Sequence, residues 1–216
     1  MKSLSKVEVK GLEALFYDEL ISLISGFTYK NFLNVILNAC EGSSVKMNEI
    51  GRNYSIVDYG CGSGMALCKF AELSQGQIIG FDIGKTMLYR AYKKCKSYKN
   101  VKIFYHDIRV SSPFLVDKVF ISFVLHGFDH KDRLKIIKNA YSNLKPNGEF
   151  CILDYNEFDF DSKPFWFRKL FNHFECPLAV EFINTPIKEI LRSVGFKSFY
   201  EYYYYKGLVR LLVAKK

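Results

Sequence analysis

The chain contains no Cys-x-x-Cys pair and no cysteine–histidine spacing suited to zinc, which removes the common structural zinc modules from consideration. No uninterrupted apolar run approaches the roughly 20 residues needed to span a bilayer. The segment 1–10 is polar and lacks the apolar stretch of a secretory signal. A cytoplasmic protein is therefore expected, with Cys40, Cys61, Cys68, Cys95, Cys151 and Cys176 all reduced. Internal repeats, low-complexity tracts and Pro/Ser-rich linkers are missing as well, so 216 residues leave room for one α/β domain and not for two complete cores. Acid is absent from one place in particular. Between Asp82 and Asp107 the chain carries Lys85, Arg90, Lys93, Lys94, Lys96, Lys99 and Lys102 without an Asp or Glu.

What the sequence does have is aromatic bulk and positive charge. Twenty Phe and fifteen Tyr can fill a sizeable core, and 31 Lys and Arg outnumber 22 Asp and Glu to give +9. The ordinary reading of the basic 85–102 face is a solvated helix; the functional one is a surface for RNA, anionic lipid in a peripheral membrane contact, or an acidic partner, with nucleic acid disfavoured. Helical apolar spacing covers 9–40 and suggests an N-terminal helical lid over 1–50 that belongs to the same domain. From there, β-branched or aromatic runs at 55–59, 77–81, 101–105, 118–124 and 149–153 alternate with amphipathic segments at 64–73, 86–97 and 131–144. That alternation predicts a parallel sheet with helices on both faces. Lys145-Pro146-Asn147-Gly148 reads as a turn. A helix over 187–193 and strands over 196–204 and 208–214 finish the chain, the last two as an antiparallel hairpin. Between them lies an aromatic insertion at about 157–185, a candidate cap over an apolar ligand.

The segment richest in chemistry is Asp58-Tyr59-Gly60-Cys61-Gly62-Ser63-Gly64, a strand running into alternating glycines with a helix leaving them. Such a loop at the carboxyl end of a strand lets backbone approach a ligand closely. Its G-x-G-x-G spacing differs from the G-x-G-x-x-G dinucleotide fingerprint, and Asp58 would repel a pyrophosphate. An acid there suits a ligand bearing an amino group and a sulfonium, as S-adenosylmethionine does. Asp82 at the second strand tip can accept from both ribose hydroxyls. Asp107 at the third can accept from the adenine amine while Ile108 packs on the ring.

The stretches VDYGCGSG, GFDIGKTML, FYHDI, ISFVLHGF and LKPNGEFCILD resemble the class I S-adenosylmethionine-dependent methyltransferases over about residues 50–216. The resemblance implies a Rossmann-like, seven-stranded, mostly parallel sheet with an antiparallel C-terminal strand. It implies that Gly60, Gly62 and Gly64, with Cys61 among them, wrap the methionine part and that Asp58 faces its amino group. Asp82 with Ile83 would take the ribose, Asp107 and Ile108 the adenine, and Ser122 would lie beside the sulfur. A narrower similarity, to the ubiquinone/menaquinone C-methyltransferases, rests on Tyr17-Asp18 with the segment after it and on SFVLHGFDHKDRLKII. It implies that Tyr17 helps cover the cofactor. That family's Asn after Tyr-Asp is Ile21 here, its Arg-Asn pair is His126-Gly127, and its signature before the last helix is replaced by the aromatic stretch.

These features lead to a methyltransferase with product S-adenosylhomocysteine, acting on a small apolar or aromatic acceptor such as a quinone-type lipid precursor. Methyl transfer from a sulfonium needs chiefly a near-attack geometry, and a carbon or phenolic nucleophile also needs a base near pKa 7. His126, just after the fourth strand, is the candidate base; packing or capping is its structural alternative. An RNA- or protein-directed methyltransferase and a non-catalytic S-adenosylmethionine-binding module stay open as alternatives. No metal is expected.

Overall fold

A computed structural model describes residues 53–216. The expected lid over 1–50, and Tyr17 within it, lie outside the described residues.

Seven strands form one sheet in the order β3-β2-β1-β4-β5-β7-β6. They are β1 (Ile56–Tyr59), β2 (Ile78–Asp82), β3 (Val101–Tyr105), β4 (Val116–Ser122), β5 (Leu144–Tyr155), β6 (Ser198–Tyr204) and β7 (Val209–Lys215). The pairs β1/β2, β1/β4, β2/β3 and β4/β5 are parallel, whereas β7 runs against both β5 and β6. The described helices are α1 (Met65–Leu73), α2 (Lys85–Cys95), α3 (His130–Asn143), α4 (Phe165–Phe174), α5 (Pro177–Ile183) and α6 (Ile187–Val194). Every residue of β1 is buried, as expected of a central parallel strand covered on both faces. One apolar cluster, with Val57, Ile79, Val119, Ile136 and Leu191, fills one face. A second, with Ile56, Leu67, Phe70, Phe120 and Val213, fills the other.

This is the expected Rossmann-like architecture, with three local departures. Lys145 to Gly148 do not turn the chain between two elements but bulge from within β5: Val116 pairs with Leu144 and Lys118 with Glu149, so four residues on one strand oppose Asp117 on the other. Asn147 takes the positive φ of 63° that this excursion needs. The aromatic insertion is more regular than its sequence suggests, because Phe167 and Phe171, one helical turn apart, give α4 an inner face.

The third departure corrects the expectation of six reduced thiols. Cys68 of α1 is joined to Cys95 of α2 in a disulfide, with 5.4 Å between their Cα atoms. The contact follows from Gly64, where an added Cβ would sit 2.9 Å from the Ala91 backbone: without a side chain, the start of α1 lies directly against α2. Met65 and Ala66 of α1 line the crevice described below, so the bond ties one of its walls to α2. Crosslinks of this kind typically contribute about 2–4 kcal/mol. Cys68→Ser should lower the unfolding free energy of the oxidised protein by about that amount in denaturant titrations. Dithiothreitol should destabilise the wild type equally and leave the variant unchanged; a wild type indifferent to reductant would mean the thiols are not joined.

Candidate active site

The tip of β2 organises the loops around it. Asp82 accepts from the Gly62 N–H through Oδ2 at 2.8 Å and from the Gly84 N–H through Oδ1 at 2.7 Å. The Gly60 and Cys61 N–H groups both donate to the Phe81 carbonyl, at 2.8 and 2.9 Å. Four hydrogen bonds thus fasten the glycine loop and the start of α2 to one strand end. Gly60 has φ 74°, and a Cβ there would lie 2.7 Å from Val124 Cγ2, so this turn excludes a side chain on both conformational and steric grounds.

A crevice opens between the glycine loop and the tip of β4, lined by Asp58, Gly60, Cys61, Gly62, Ser63, Met65, Ala66, Phe120, Ser122 and Phe123. It brings together five of the residues expected from sequence: Asp58, Gly60, Cys61, Gly62 and Ser122. Gly64 caps α1 beside them with φ 81°, and Asp82 joins through Gly62. Ile83 is partly buried next to Asp82. Asp58 is 2% exposed, and its carboxyl is pushed up to about 8 by loss of water and then by the nearby Asp82 charge, with no hydrogen bond acting in the opposite direction. A buried acid without a cationic partner among the described residues fits the ammonium of an amino-acid ligand.

The third strand tip carries an ion pair. Asp107 Oδ1 accepts from the Arg109 backbone N–H and from Nε, and Oδ2 accepts from Nη2 at 2.7 Å. Those bonds hold its carboxyl below the usual range, and Arg109 reaches on to Asp132 at 3.1 Å. Ile108 is buried within the core. Neither residue lines the crevice. Arg109 thus fixes the Asp107 carboxylate at the tip of β3, where the side chain is still 32% exposed.

A family model described as a methyltransferase domain matches residues 50–189. The chain belongs to the methyltransferase domain family. Within it, the class I S-adenosylmethionine-dependent fold is that of the sheet described above. The chain is 25% identical over 179 residues to a demethylmenaquinone methyltransferase of Bacillus licheniformis, covering 80% of this chain and 72% of the relative. An O-methyltransferase family protein from Burkholderia thailandensis superposes with a TM-score of 0.70 at 18% identity, covering 94% of this chain and 59% of that one. The N-methyltransferase NodS of Bradyrhizobium japonicum, solved with S-adenosyl-L-homocysteine, has a TM-score of 0.63 at 14% identity, with 88% of each chain covered.

His126 of this methyltransferase, the candidate base, is held between two carboxylates. It is buried in a short helical turn, Leu125–Gly127, after β4. Its Nδ1 lies 2.7 Å from Asp154 Oδ1 and its Nε2 lies 3.2 Å from Glu175 Oε2. Burial opposes the charge, but the two carboxylates prevail and push the imidazole up to about 10, which favours the protonated ring. The Tyr155 hydroxyl donates to Glu175 at 2.7 Å, extending the chain of contacts from β5 to the end of α4.

Sequence reasoning missed several neighbours. Phe123 forms a crevice wall with φ 50°, and no local pattern marks a phenylalanine for a left-handed conformation. Tyr155 lies between Phe123, His126 and Phe171, with ring centroids 5.9, 5.1 and 5.0 Å away. Arg133, fully buried, donates to the carbonyls of His126 and Leu178 and thereby anchors α5 to the His126 turn.

The His126 proton has a stability consequence. Because its folded-state value is raised above the ordinary 6.5, the contribution is complete below pH 6.5 and is lost as pH rises through about 10. Urea titrations between pH 6.5 and 10 should show the wild type losing more stability than His126→Gln; equal slopes would make the ring neutral in the folded protein.

Proposed function

We propose that this methyltransferase binds S-adenosylmethionine in the crevice above β1 and transfers its methyl group to a small apolar or aromatic acceptor, of which a quinone-type lipid precursor is the leading example. The observation that carries the cofactor assignment is Asp58, a buried carboxyl beneath a glycine loop with no cation beside it among the described residues. Asp58 would hold the amino group, Gly60, Cys61, Gly62 and Gly64 the methionine chain, Asp82 with Ile83 the ribose, and Asp107 with Ile108 the adenine. Ser122 would border the sulfur. When bound, the cofactor supplies an activated methyl on a sulfonium.

The aromatic cluster of Phe123, Tyr155 and Phe171, of which Phe123 lines the crevice, supports an apolar or aromatic acceptor, since rings pack favourably edge to face or offset. The similarity to a demethylmenaquinone methyltransferase points to the same acceptor class. On this reading the chain accelerates transfer by aligning acceptor and methyl and by keeping water away. His126, already protonated, orients Glu175 and Tyr155 at the acceptor side and does not remove a proton.

Cofactor affinity should depend on pH in a way that a merely structural Asp58 would not produce. The protonated acid must ionise to meet an ammonium, so affinity should climb by up to about tenfold per unit from pH 6 towards 8 with release of a proton. Above about 8 the ligand's own amino group loses its proton and affinity should fall. Calorimetry in buffers of different ionisation enthalpy reads the proton directly. Asp58→Asn should bind more weakly with a flat profile below pH 8, and a flat wild-type profile would remove Asp58 from the site.

The acceptor class is tested by giving protein and methyl-labelled S-adenosylmethionine to an extract of cells lacking the gene. Label is expected in the lipid or small-solute fraction. Label confined to RNA or protein would replace the small-molecule reading, and no label with cofactor binding intact would favour a non-catalytic module.

A further inference from the structure

We propose that α4 docks this enzyme on a lipid bilayer, with Phe165, Trp166 and Leu170 inserted at the boundary between headgroups and acyl chains. The helix has two unlike faces. Phe167 and Phe171 turn inward, where Phe171 packs on Tyr155 at 5.0 Å and on Phe160 at 5.4 Å. On the outward face, Phe165 is 73% exposed, Trp166 67% and Leu170 52%. Three large apolar side chains left in water on one short helix are costly unless something covers them.

The chemistry of that face fits a membrane interface. Tryptophan and phenylalanine beside basic side chains are the composition of helices that lie in the interfacial plane. Across 163–173 the chain has Lys163, Arg168 and Lys169 and no acid, on a protein of net charge +9. Asp161, just before the helix, is 3.7 Å from Arg168. No helix among the described residues is long and apolar enough to cross a membrane, so the contact is peripheral. Position supports the same partner. Glu175, at the C-terminal end of α4, bonds to Tyr155 and His126 beside the crevice, so a bilayer on the outer face would lie one helix away from the acceptor wall. The proposal does not rest on the acceptor's identity, because docking is measured without turnover.

The protein's single tryptophan is Trp166, which makes the docking face its own reporter. The full chain is mixed with vesicles of phosphatidylcholine, with or without phosphatidylglycerol, and Trp166 emission, acrylamide quenching and cosedimentation are followed. Binding should shift the emission to the blue, shield it from acrylamide and strengthen with phosphatidylglycerol. The double variant Phe165→Ser/Leu170→Ser keeps the reporter and should partition about tenfold or more less strongly, since interfacial binding scales with buried apolar area. Its S-adenosylmethionine affinity should match the wild type, which separates lost docking from lost folding. Emission that stays red and quenchable with vesicles would overturn the proposal. So would emission already blue and shielded without lipid, which would mean that another part of the chain or a second copy covers the helix. Binding abolished by Lys94→Glu/Lys96→Glu at the C-terminal end of α2 but untouched by the double variant would move the contact to the basic 85–102 face and overturn it equally.

Discussion

The Asp82 carboxylate is the point on which the site's geometry depends. One oxygen holds the glycine loop through Gly62, and the other holds the start of α2 through Gly84. Backbone N–H groups at a strand tip need acceptors once they leave the ladder, and a carboxylate serves two loops at once with charge-assisted bonds. Because β1 and β2 are paired in parallel register, with Asp58 beside Gly80 and Tyr59 beside Phe81, those loops emerge at the same level. The crevice is a consequence of that register.

Charge distribution divides the site into two regions. Beneath the glycine loop, Asp58 is buried beside another acid, a state that costs free energy until a cation arrives. At the opposite side, His126 lies between Asp154 and Glu175 and its charge is compensated before any ligand binds. The first arrangement is suited to recognition and the second to holding a wall in place. Arg133 extends that second region: with Leu178 and His126 carbonyls and the Thr185 hydroxyl around its guanidinium, it joins α3, α5 and the turn after β4. Removing one member of such a buried set leaves its partners unsatisfied, which is why networks of this kind tend to fix one conformation.

Much of the fold was legible because its determinants are local. Period-two and period-3.6 apolar spacing marks β1, β2, β3, α1 and α3 within a residue or two, and the terminal hairpin follows from two strand-like runs with Tyr205-Lys206-Gly207 between them. Gly60, Gly62 and Gly64 announce their loop because each takes a positive φ that few other residues tolerate. Lys145 to Gly148 misled for the same local reason: their composition specifies a reversal, while pairing of Leu144 with Val116 absorbs them into β5 as a bulge. In the aromatic insertion, Phe171 faces inward only because Tyr155 and Phe160 are there to meet it, and Phe167 packs on Phe158 and Phe171.

The sequence by itself determined the alternation of strands and helices, the glycine loop and the acids at the strand tips, since each depends on the backbone preferences and spacing of neighbouring residues. Only the tertiary structure decided what those acids do. Asp107 is claimed by Arg109, Asp82 by two backbone amides, and Asp58 by no cation among the described residues. Likewise, the proton on His126 depends on Asp154, 28 residues away, and the Cys68–Cys95 bond on how closely two helices pack at Gly64. Protonation, ion pairing and crosslinking vary steeply with distance in a medium of low dielectric, and the distances between residues far apart in the chain exist only after folding.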